Sequence, residues 1–589
     1  MKRINTGTSD FQDLIESENI YVDKTAYMHR LISDKMNKVL FISRPHRFGK
    51  SLTISALLCT LPLQFAMSST SRFDSTADTS APHPSPTLSA LALAAQSAGA
   101  SGASRVVVAV DPADAVGPVK PMNAVNNGPS VKNPGGDQVR GNFDEYKAAR
   151  IPFARTHDSI NCVAGGPHTC DISAVFPDFD ADENDPRNYD FVFTDHYLDN
   201  IRRAGTQVFF RLGQTIEHGP KKYGVLPPKD FAKWARICEH VIRHYNEGWG
   251  WGVDKGWTTK NVEWSNQFGI EYWEIWNEPD LDPSDGEPPR NPRCWGGTAE
   301  EFFRFYETAA KHLKAKFPHL KIGGPALCGN LEWGERFLAY CRDHEVPLDF
   351  FSWHVYATNP KTIAGRCDAV RALMDKYGFG KAESILNEWN YVKGWTDEWV
   401  YSLEVESGRF NQKGAAFVMS AMIDCQSKPL DMLMFYDARV GCGMNNLFNA
   451  KTLWPMKGYY PFYAWSKLAA LGTQVVCEVA ESGATAVGDG PATGVVLDRA
   501  AVAESLGVRA VAAKGADGSG AVIVARYSED NNSTAPFGVA LAVSGADLSR
   551  ARCHVTDAAR TYTEVPLDLR PDGIVLVRLQ PNSFALVEW

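Results

Sequence analysis

The chain has 589 residues, of which 44% are hydrophobic and 22% charged, and its formal net charge is −9 at pH 7. This length requires more than one hydrophobic core, and the composition is typical of globular proteins. The acidic balance argues against a nucleic-acid-binding surface, and no stretch of about 20 apolar residues that would cross a bilayer occurs. We therefore expect neither nucleic acid nor a membrane among its partners.

Residues 1–60 are predicted to form a short α/β fragment. "KVLFISRPHRFGKSLTIS" (38–55) reads as an apolar strand, a loop and a Gly-Lys-Ser sequence at 49–51 that begins a helix. This is the outline of a phosphate-binding loop, but Arg44 stands where its first glycine is expected. Together with "YVDKTAYM", the fragment resembles the start of a bacterial AAA-ATPase-like family. The acidic strand that would hold magnesium is missing, so we expect a truncated fragment without nucleotide hydrolysis.

Residues 61–104 are predicted to be a low-complexity linker. From 68 onward the segment is mainly Ser, Thr, Ala and Pro with few charges, so it buries too little apolar surface to offset the entropy of ordering. The N-terminus lacks the apolar region of a signal peptide, which predicts a cytoplasmic protein for the chain as written. Residues 44–67 are signal-like, and a true start there would make the protein periplasmic or secreted.

Apolar strands alternate with amphipathic helices from about residue 140 to 470. One helix begins behind Asp230, and another opens with a capping box formed by Thr298 and Glu301. Such alternation indicates a parallel α/β architecture, and the absence of G-x-G-x-x-G after the first strand disfavours a dinucleotide-binding fold. Polar residues gather at the C-terminal ends of the strands, which predicts a (β/α)8 TIM barrel over 105–470.

The pattern changes in the last part of the chain. Short alternating runs separated by Gly, Asp and Asn predict a C-terminal antiparallel β-sandwich over 471–589. The strand-like "RVVVAV" (105–110) is a candidate further strand of that domain.

The twelve cysteines form no CxxC pair or zinc-type repeat. Cys162 and Cys170 flank His168, which is compatible with a disulfide, half a metal site or two buried free thiols. Free thiols are the commonest use of such residues. We predict no metal and no other cofactor.

Two glutamates follow asparagine at the ends of apolar strands. Glu278 lies in "EYWEIWNEPD" (271–280) and Glu388 in "ILNEWN". Glycoside hydrolysis needs such a pair, one carboxyl group to protonate the leaving oxygen and one to attack the anomeric carbon or activate water. The alternative is that each forms a salt bridge at the barrel rim, but the paired pattern favours catalysis.

These motifs resemble those of a known family. "WEIWNEPD" and "SILNEWN" are similar to the acid/base and nucleophile strands of retaining clan-A glycoside hydrolases, and "PPKDFAKW", "KIGGPALCG" and "DFFSWH" occur in the order seen in glycoside hydrolase family 39, the β-xylosidase and α-L-iduronidase family. The resemblance covers about 105–589. It implies that Glu278 is the acid/base on barrel strand four and Glu388 the nucleophile on strand seven.

The resemblance also implies sugar-binding residues. Asn277 would hold the sugar 2-hydroxyl, and His157 on strand one and His354 on strand six match family histidines, although either is also compatible with a structural role. Further expected subsite walls, each with the core as its alternative, are Tyr356, Trp389 and Tyr436. Strand seven reads "NEWN" where xylosidases commonly show Thr-Glu-Tyr, and strand eight lacks their Trp. The resemblance therefore supports the mechanism of the family for this chain more strongly than it supports a xyloside as the substrate.

The identity of the sugar depends on nearby cations. Arg155, Arg211 and Arg439 lie near predicted strand ends, where arginines form either a pocket for an acidic sugar or buried ion pairs. Ion pairs are commoner, so we predict a retaining, exo-acting glycosidase for a neutral, β-xyloside-like oligosaccharide or polysaccharide. The alternatives are α-L-iduronidase or arabinosidase specificity, a non-catalytic carbohydrate-binding relative, and a nucleotide-driven protein. The oligomeric state is left open.

Overall fold

The computed structural model describes residues 104–132, 140–163, 166–253, 268–282, 284–395, 408–481, 506–533 and 536–589. The predicted N-terminal fragment and nearly all of the predicted linker lie outside these ranges. Within them, no helix has both the length and the apolar character needed to cross a membrane.

Eight parallel strands close into a barrel, which confirms the predicted (β/α)8 fold. The strands up to residue 435 are β1 (Ser104–Pro118), β2 (Ala124–Asn126), β3 (Val131–Lys132), β4 (Arg140–Gly141), β5 (Phe153–Arg155), β6 (Gln207–Leu212), β7 (Tyr272–Ile275), β8 (Lys321–Leu327), β9 (Phe350–Ala357), β10 (Glu383–Tyr391) and β11 (Met432–Phe435). The barrel consists of β2 and β5 to β11, and every neighbouring pair in it is parallel. A separate hairpin-like pair is formed by β3 and β4.

The helices of the described residues lie mostly between successive barrel strands. They are α1 (Phe143–Ala148), α2 (Ile172–Val175), α3 (Val192–Arg203), α4 (Phe231–Glu247), α5 (Ala299–Lys316), α6 (Leu331–Asp343), α7 (Pro360–Lys376), α8 (Gln412–Gln426) and α9 (Tyr460–Leu471). The Asp230 side chain accepts the N–H of Lys233 at the start of α4. Thr298 and Glu301 form the predicted capping box on α5, which satisfies N–H groups that the first turn leaves unpaired.

The first barrel strand was not predicted from the sequence. β2 is only three residues long, within "MNAVNNGP", and it pairs with β5 and β11. His157, expected on strand one, therefore follows the second barrel strand. The predicted strand number for His157 was wrong because a strand as short as β2 shows no recognisable alternation of apolar and polar residues.

The last strands form a ten-stranded sheet together with β1. They are β12 (Thr473–Glu481), β13 (Val508–Lys514), β14 (Gly520–Arg526), β15 (Phe537–Val543), β16 (Arg552–Thr556), β17 (Thr563–Val565), β18 (Asp568–Leu569), β19 (Val575–Leu579) and β20 (Ser583–Glu588). β1 lies between β12 and β15, antiparallel to the first and parallel to the second. The sheet curls over one apolar core that includes Val108, Val524 and Val577, as expected for a sandwich-like domain.

The barrel interior changes character along its axis. An apolar layer fills the N-terminal part, formed by Ala124, Phe209, Tyr272, Phe350, Ile385, Met432 and Met434. Above it lie buried polar groups, among them Arg155 and Glu274. The polar layer supports the C-terminal rim, where active sites of this fold are built.

Candidate active site

A cavity of ≈ 660 Å³ opens at the C-terminal rim of the barrel, within the size range of about 300–1,000 Å³ common for small-molecule sites. The predicted residues that line it are His157, Asn277, Glu278, His354, Tyr356, Glu388 and Tyr436. The structure therefore brings both predicted carboxylates and all but one of the predicted sugar-binding residues to one cavity.

Glu388 reaches the cavity because β10 contains a bulge. Leu386 pairs with Trp353 and Glu388 with His354, so Asn387 is an extra residue in the ladder. A bulge of this kind reorients the side chains that follow it. The Asn387 amide donates to Glu274 inside the barrel, while Glu388 turns to the cavity.

Four side chains surround the Glu388 carboxylate. Oε1 accepts from Arg155 Nη1 at 2.7 Å and lies 3.1 Å from His157 Nε2, and Oε2 accepts from the Tyr356 hydroxyl at 2.8 Å. His354 Nδ1 is 3.6 Å from Oε2. Burial alone would raise the pKa of Glu388, but His354, His157 and Arg155 lower it more, and the net pKa lies well below the usual range. The group is thus held as a carboxylate, the form a nucleophile needs.

Glu278 lies at the end of β7 on a backbone with positive φ. The φ angles of Trp276 and Glu278 are 76° and 48°, a left-handed conformation that side chains with a β-carbon rarely adopt. It is held by backbone hydrogen bonds from Trp276 N to Leu212 O and from Glu278 N to Ala326 O. This turn directs the Glu278 carboxyl to His354, whose Nδ1 is 2.8 Å from Oε1.

The two carboxyl groups are close together. One oxygen of Glu278, one nitrogen of His354 and one oxygen of Glu388 all lie within 4.8 Å of one another. Carboxyl groups about 5–5.5 Å apart leave room for a sugar carbon but not for an additional water, the geometry of a retaining pair. The same three residues resemble a metal-ligand set, but the Arg155 guanidinium already occupies Glu388 Oε1 and would repel a cation.

Arg155 connects the site to the barrel interior. Its Nε donates to Glu274 Oε2 at 2.6 Å, Nη1 to Asn126 Oδ1 at 3.1 Å and to Glu388, and Nη2 to Asn277 Oδ1 at 2.7 Å. The guanidinium fork therefore fixes both Glu388 and the amide of Asn277. Of the two alternatives stated for Arg155, the structure supports the buried ion pair.

The other predicted arginines are also paired. Arg211 Nη2 binds Asp171 Oδ1 at 2.7 Å. Arg439 lies between Asp158, at 3.4 Å, and Asp437, at 3.1 Å. None of these pairs leaves an arginine free at the inner end of the cavity.

Trp389 does not line the cavity, contrary to the expectation. Its ring is fully buried and packs against Phe417 of α8 and Phe435 of β11. The side chains of neighbouring strand residues point to opposite faces, so Trp389 turns outward from the barrel when Glu388 turns inward.

Cys162 and Cys170 are free and buried. Of the three alternatives stated for them, this is the one that was favoured.

Several lining residues were not predicted. They are Asp158, Ile216, His218, Leu281, Arg293, Cys328, Gly329, Val355, Arg366, Trp395 and Met444. Of these, Asp158 had a usable signal, since it directly follows His157. Most of the others lie beyond the strand ends, in segments whose path a sequence does not determine.

Asp280 positions part of the cavity wall. Its carboxylate accepts the backbone N–H groups of Cys328, Gly329 and Asn330 at 2.7, 3.1 and 3.0 Å. Burial raises its pKa to about 6, although these N–H groups oppose the shift. The contacts join the end of "NEPD" to the segment after β8 and hold Cys328 beside Glu278.

Two family models match the chain. The model of glycosyl hydrolases family 39 matches residues 108–430, and a model described as a predicted AAA-ATPase matches residues 5–85. Both resemblances noted in the sequence are thereby confirmed.

Similar curated proteins include two bacterial β-xylosidases. The protein from Geobacillus stearothermophilus is 30% identical over 180 residues, covering 29% of this chain and 31% of that protein. The one from Caldicellulosiruptor saccharolyticus is 27% identical over 180 residues, covering 29% and 32%. The alignments thus span about a third of each relative.

Similar solved structures extend over more of the chain. A glucosidase from Croceicoccus marinus superposes with a TM-score of 0.60 at 21% identity, covering 82% of this chain and 98% of that one. A monomeric β-xylosidase from Caulobacter crescentus CB15 gives 0.55 at 16% identity, covering 82% and 99%. At these identities the likeness concerns the fold.

Proposed function

Because the chain belongs to glycosyl hydrolases family 39, we propose that it is a retaining glycosidase that cleaves β-xylosides by double displacement. The observation that carries this proposal is the position of Glu278 and Glu388 oxygens within 4.8 Å of each other at the barrel rim. Glu388 accepts hydrogen bonds from Arg155 and Tyr356, whereas Glu278 lies beside His354.

In the first step Glu388 is the nucleophile and Glu278 the acid. Glu388 attacks the anomeric carbon, and the bond to the leaving oxygen breaks as Glu278 gives that oxygen its proton. The products are a glycosyl ester on Glu388 and a free alcohol. The hydrogen bonds to Glu388 from Arg155 and Tyr356 orient the carboxylate for attack.

In the second step Glu278 is the base. It removes a proton from water, whose oxygen attacks the anomeric carbon and releases Glu388 as a carboxylate. Asn277 is proposed to bind the sugar 2-hydroxyl. Because Arg155 holds its amide oxygen, the Nδ2 group is left to donate to a ligand.

The substrate assignment rests on the relatives. Two of them are named β-xylosidase, and Arg155, Arg211 and Arg439 are all engaged in ion pairs. Because these three arginines are already paired, none of them is available to bind the carboxylate of an acidic sugar. We therefore propose a neutral sugar at the cleaved position.

A panel of aryl glycosides tests the proposal. We expect hydrolysis of the aryl β-xyloside in preference to the α-arabinoside, β-galactoside, β-glucoside and α-iduronide. Followed by NMR, the first sugar released should be the β-anomer, because two inversions restore the starting configuration. Release of the α-anomer would contradict the double displacement. Absence of turnover on the whole panel and on natural oligosaccharides would favour the carbohydrate-binding alternative.

The pH profile should respond to His157. His157 and its neighbours favour the ionised form of Glu388, so replacing His157 with Gln should raise the pKa of the carboxyl group. Since attack needs the carboxylate, the acidic limb of kcat/KM should move to higher pH while the alkaline limb stays in place. The measurement is kcat/KM for an aryl β-xyloside across the pH range.

His319→Gln provides the matched control, since it makes the same change at an exposed position of the chain. Its profile should coincide with that of the parent protein. An unshifted acidic limb in His157→Gln would show that His157 does not influence the ionisation of Glu388.

A further inference from the structure

One cation in the cavity wall differs from all the arginines described above. Arg366 lies in the second turn of α7, is half-buried and lines the active-site cavity. The described residues that surround it supply no hydrogen bond and no ion pair to its guanidinium. Arg293, the other arginine of the wall, is held by Asp282 at 2.8 Å.

The helix itself offers Arg366 no partner. The residues three and four positions away on either side are Thr362, Ile363, Ala369 and Val370, none of which is acidic. The nearby Asp368 is bound to Lys428 at 2.6 Å. A guanidinium presents five donors in a rigid fork, and here they face a cavity in which a ligand would bind.

A large aromatic side chain lines the same cavity. Trp395 is 75% exposed, and its ring meets the ring of Tyr356 edge-on with the centroids 5.1 Å apart. Tyr356 in turn hydrogen bonds to Glu388. An exposed indole at the mouth of a sugar site offers a flat apolar face on which a sugar ring can stack.

The inner end of the cavity is unsuited to an anion. The Arg155 donors are taken by Glu274, Asn126, Glu388 and Asn277, and the two catalytic glutamates would repel a second negative group. A carboxylate entering this site therefore has its favourable position at Arg366, which lines the cavity and has no partner among the described residues.

We propose that Arg366 and Trp395 form a subsite for a uronic acid on the leaving-group side, with the guanidinium binding the sugar carboxylate and the indole supporting its ring. This inference rests on the proposed glycosidase function. The preferred substrate is then an acidic oligosaccharide whose cleaved unit is neutral and whose neighbouring unit carries the carboxylate.

The test compares two xylo-oligosaccharides that differ only in a uronic acid on the leaving-side sugar. The wild-type protein should prefer the acidic one. In Arg366→Met the ratio of kcat/KM for the acidic to the neutral substrate should fall about 10-fold or more, the effect of a lost charge-assisted hydrogen bond. In Trp395→Ala both substrates should lose kcat/KM through KM. Arg304→Met, which removes a charge from the exposed face of α5, should leave the ratio unchanged.

A binding measurement separates this inference from the proposed function. With the Glu388→Gln protein, calorimetry should show tighter binding of the acidic oligosaccharide, and salt and Arg366→Met should each weaken that preference. This difference is measurable even if no glycoside is hydrolysed, a result that would refute only the proposed function. Equal binding of the two oligosaccharides, or an unchanged ratio in Arg366→Met proteins of normal melting temperature, would identify Arg366 as an ordinary solvated arginine. Aryl uronides carry the carboxylate on the cleaved sugar. If Arg366→Met lowered kcat/KM for aryl uronides alone and not for the acidic oligosaccharide, the carboxylate would bind at the cleaved sugar, and the proposed subsite would be wrong.

Discussion

Replacing Glu388 with glycine should abolish hydrolysis of natural substrates, lowering kcat by about 10,000-fold or more, the scale of removing a covalent nucleophile. The variant has no atom that can attack the anomeric carbon, and no glycosyl ester forms. Glycine also leaves space at the position of the carboxylate, between Arg155 and Tyr356. Added azide should enter that space, restore turnover of activated aryl glycosides and yield the α-glycosyl azide from a β-glycoside.

The anomer of the azide product is decisive for the role. A nucleophile variant gives a single displacement and hence the anomer opposite to the substrate, whereas an acid/base variant gives the same anomer. Glu388→Gln is the matched control, because it removes the charge but keeps the side-chain volume, and azide should not rescue it. A β-glycosyl azide from Glu388→Gly would mean that Glu388 is the acid/base.

Replacing Glu278 with alanine should give a loss that depends on the leaving group. A positioned general acid contributes about 100- to 10,000-fold, and this contribution is needed when the leaving oxygen is a poor one. Xylobiose should therefore suffer the full loss, while an activated dinitrophenyl β-xyloside should suffer much less. Plotting kcat/KM against the pKa of the leaving alcohol should give a much steeper dependence than in the wild type.

Glu332→Ala, at an exposed position on α6, is a suitable control and should retain the wild-type dependence on the leaving group. If Glu278→Ala lost the same factor on every substrate, acid catalysis would not be its role. If Glu388→Gly also gave the β-glycosyl azide, Glu388 would be the acid/base and Glu278 the nucleophile.

The barrel and the two glutamates that line its cavity could be predicted because each is encoded locally. The apolar strands and amphipathic helices carry different periods, and the capping box on α5 needs only Thr298 and Glu301. Glu278 follows β7 and Glu388 lies in the C-terminal half of β10, and the C-terminal ends of the strands of a parallel barrel meet at one rim. That geometry follows from topology alone, without knowledge of any side-chain contact.

The remaining site depends on features with no local signal. β2 is too short to show alternation, so the strand that precedes His157, which the sequence predicts as the first of the barrel, is the second. The bulge at Asn387 reorients Glu388, and with it Trp389, although the sequence around it is compatible with an uninterrupted strand. Arg366 and Trp395 reach the cavity from beyond the strand ends, and only the folded chain shows that they line the same cavity.

The position of β1 affects how the chain assembles during synthesis. Val110 pairs with Cys477 on one side and with Val543 on the other. β1 is therefore synthesised before the whole barrel, whereas both of its neighbouring strands are synthesised after it. Contacts of such high sequence separation form slowly. The sheet can close only after β12 and β15 have been made, because these are the two strands between which β1 lies. A barrel fragment ending before β12 should therefore begin after Pro118, because β1 without its neighbours presents two unpaired edges to aggregation.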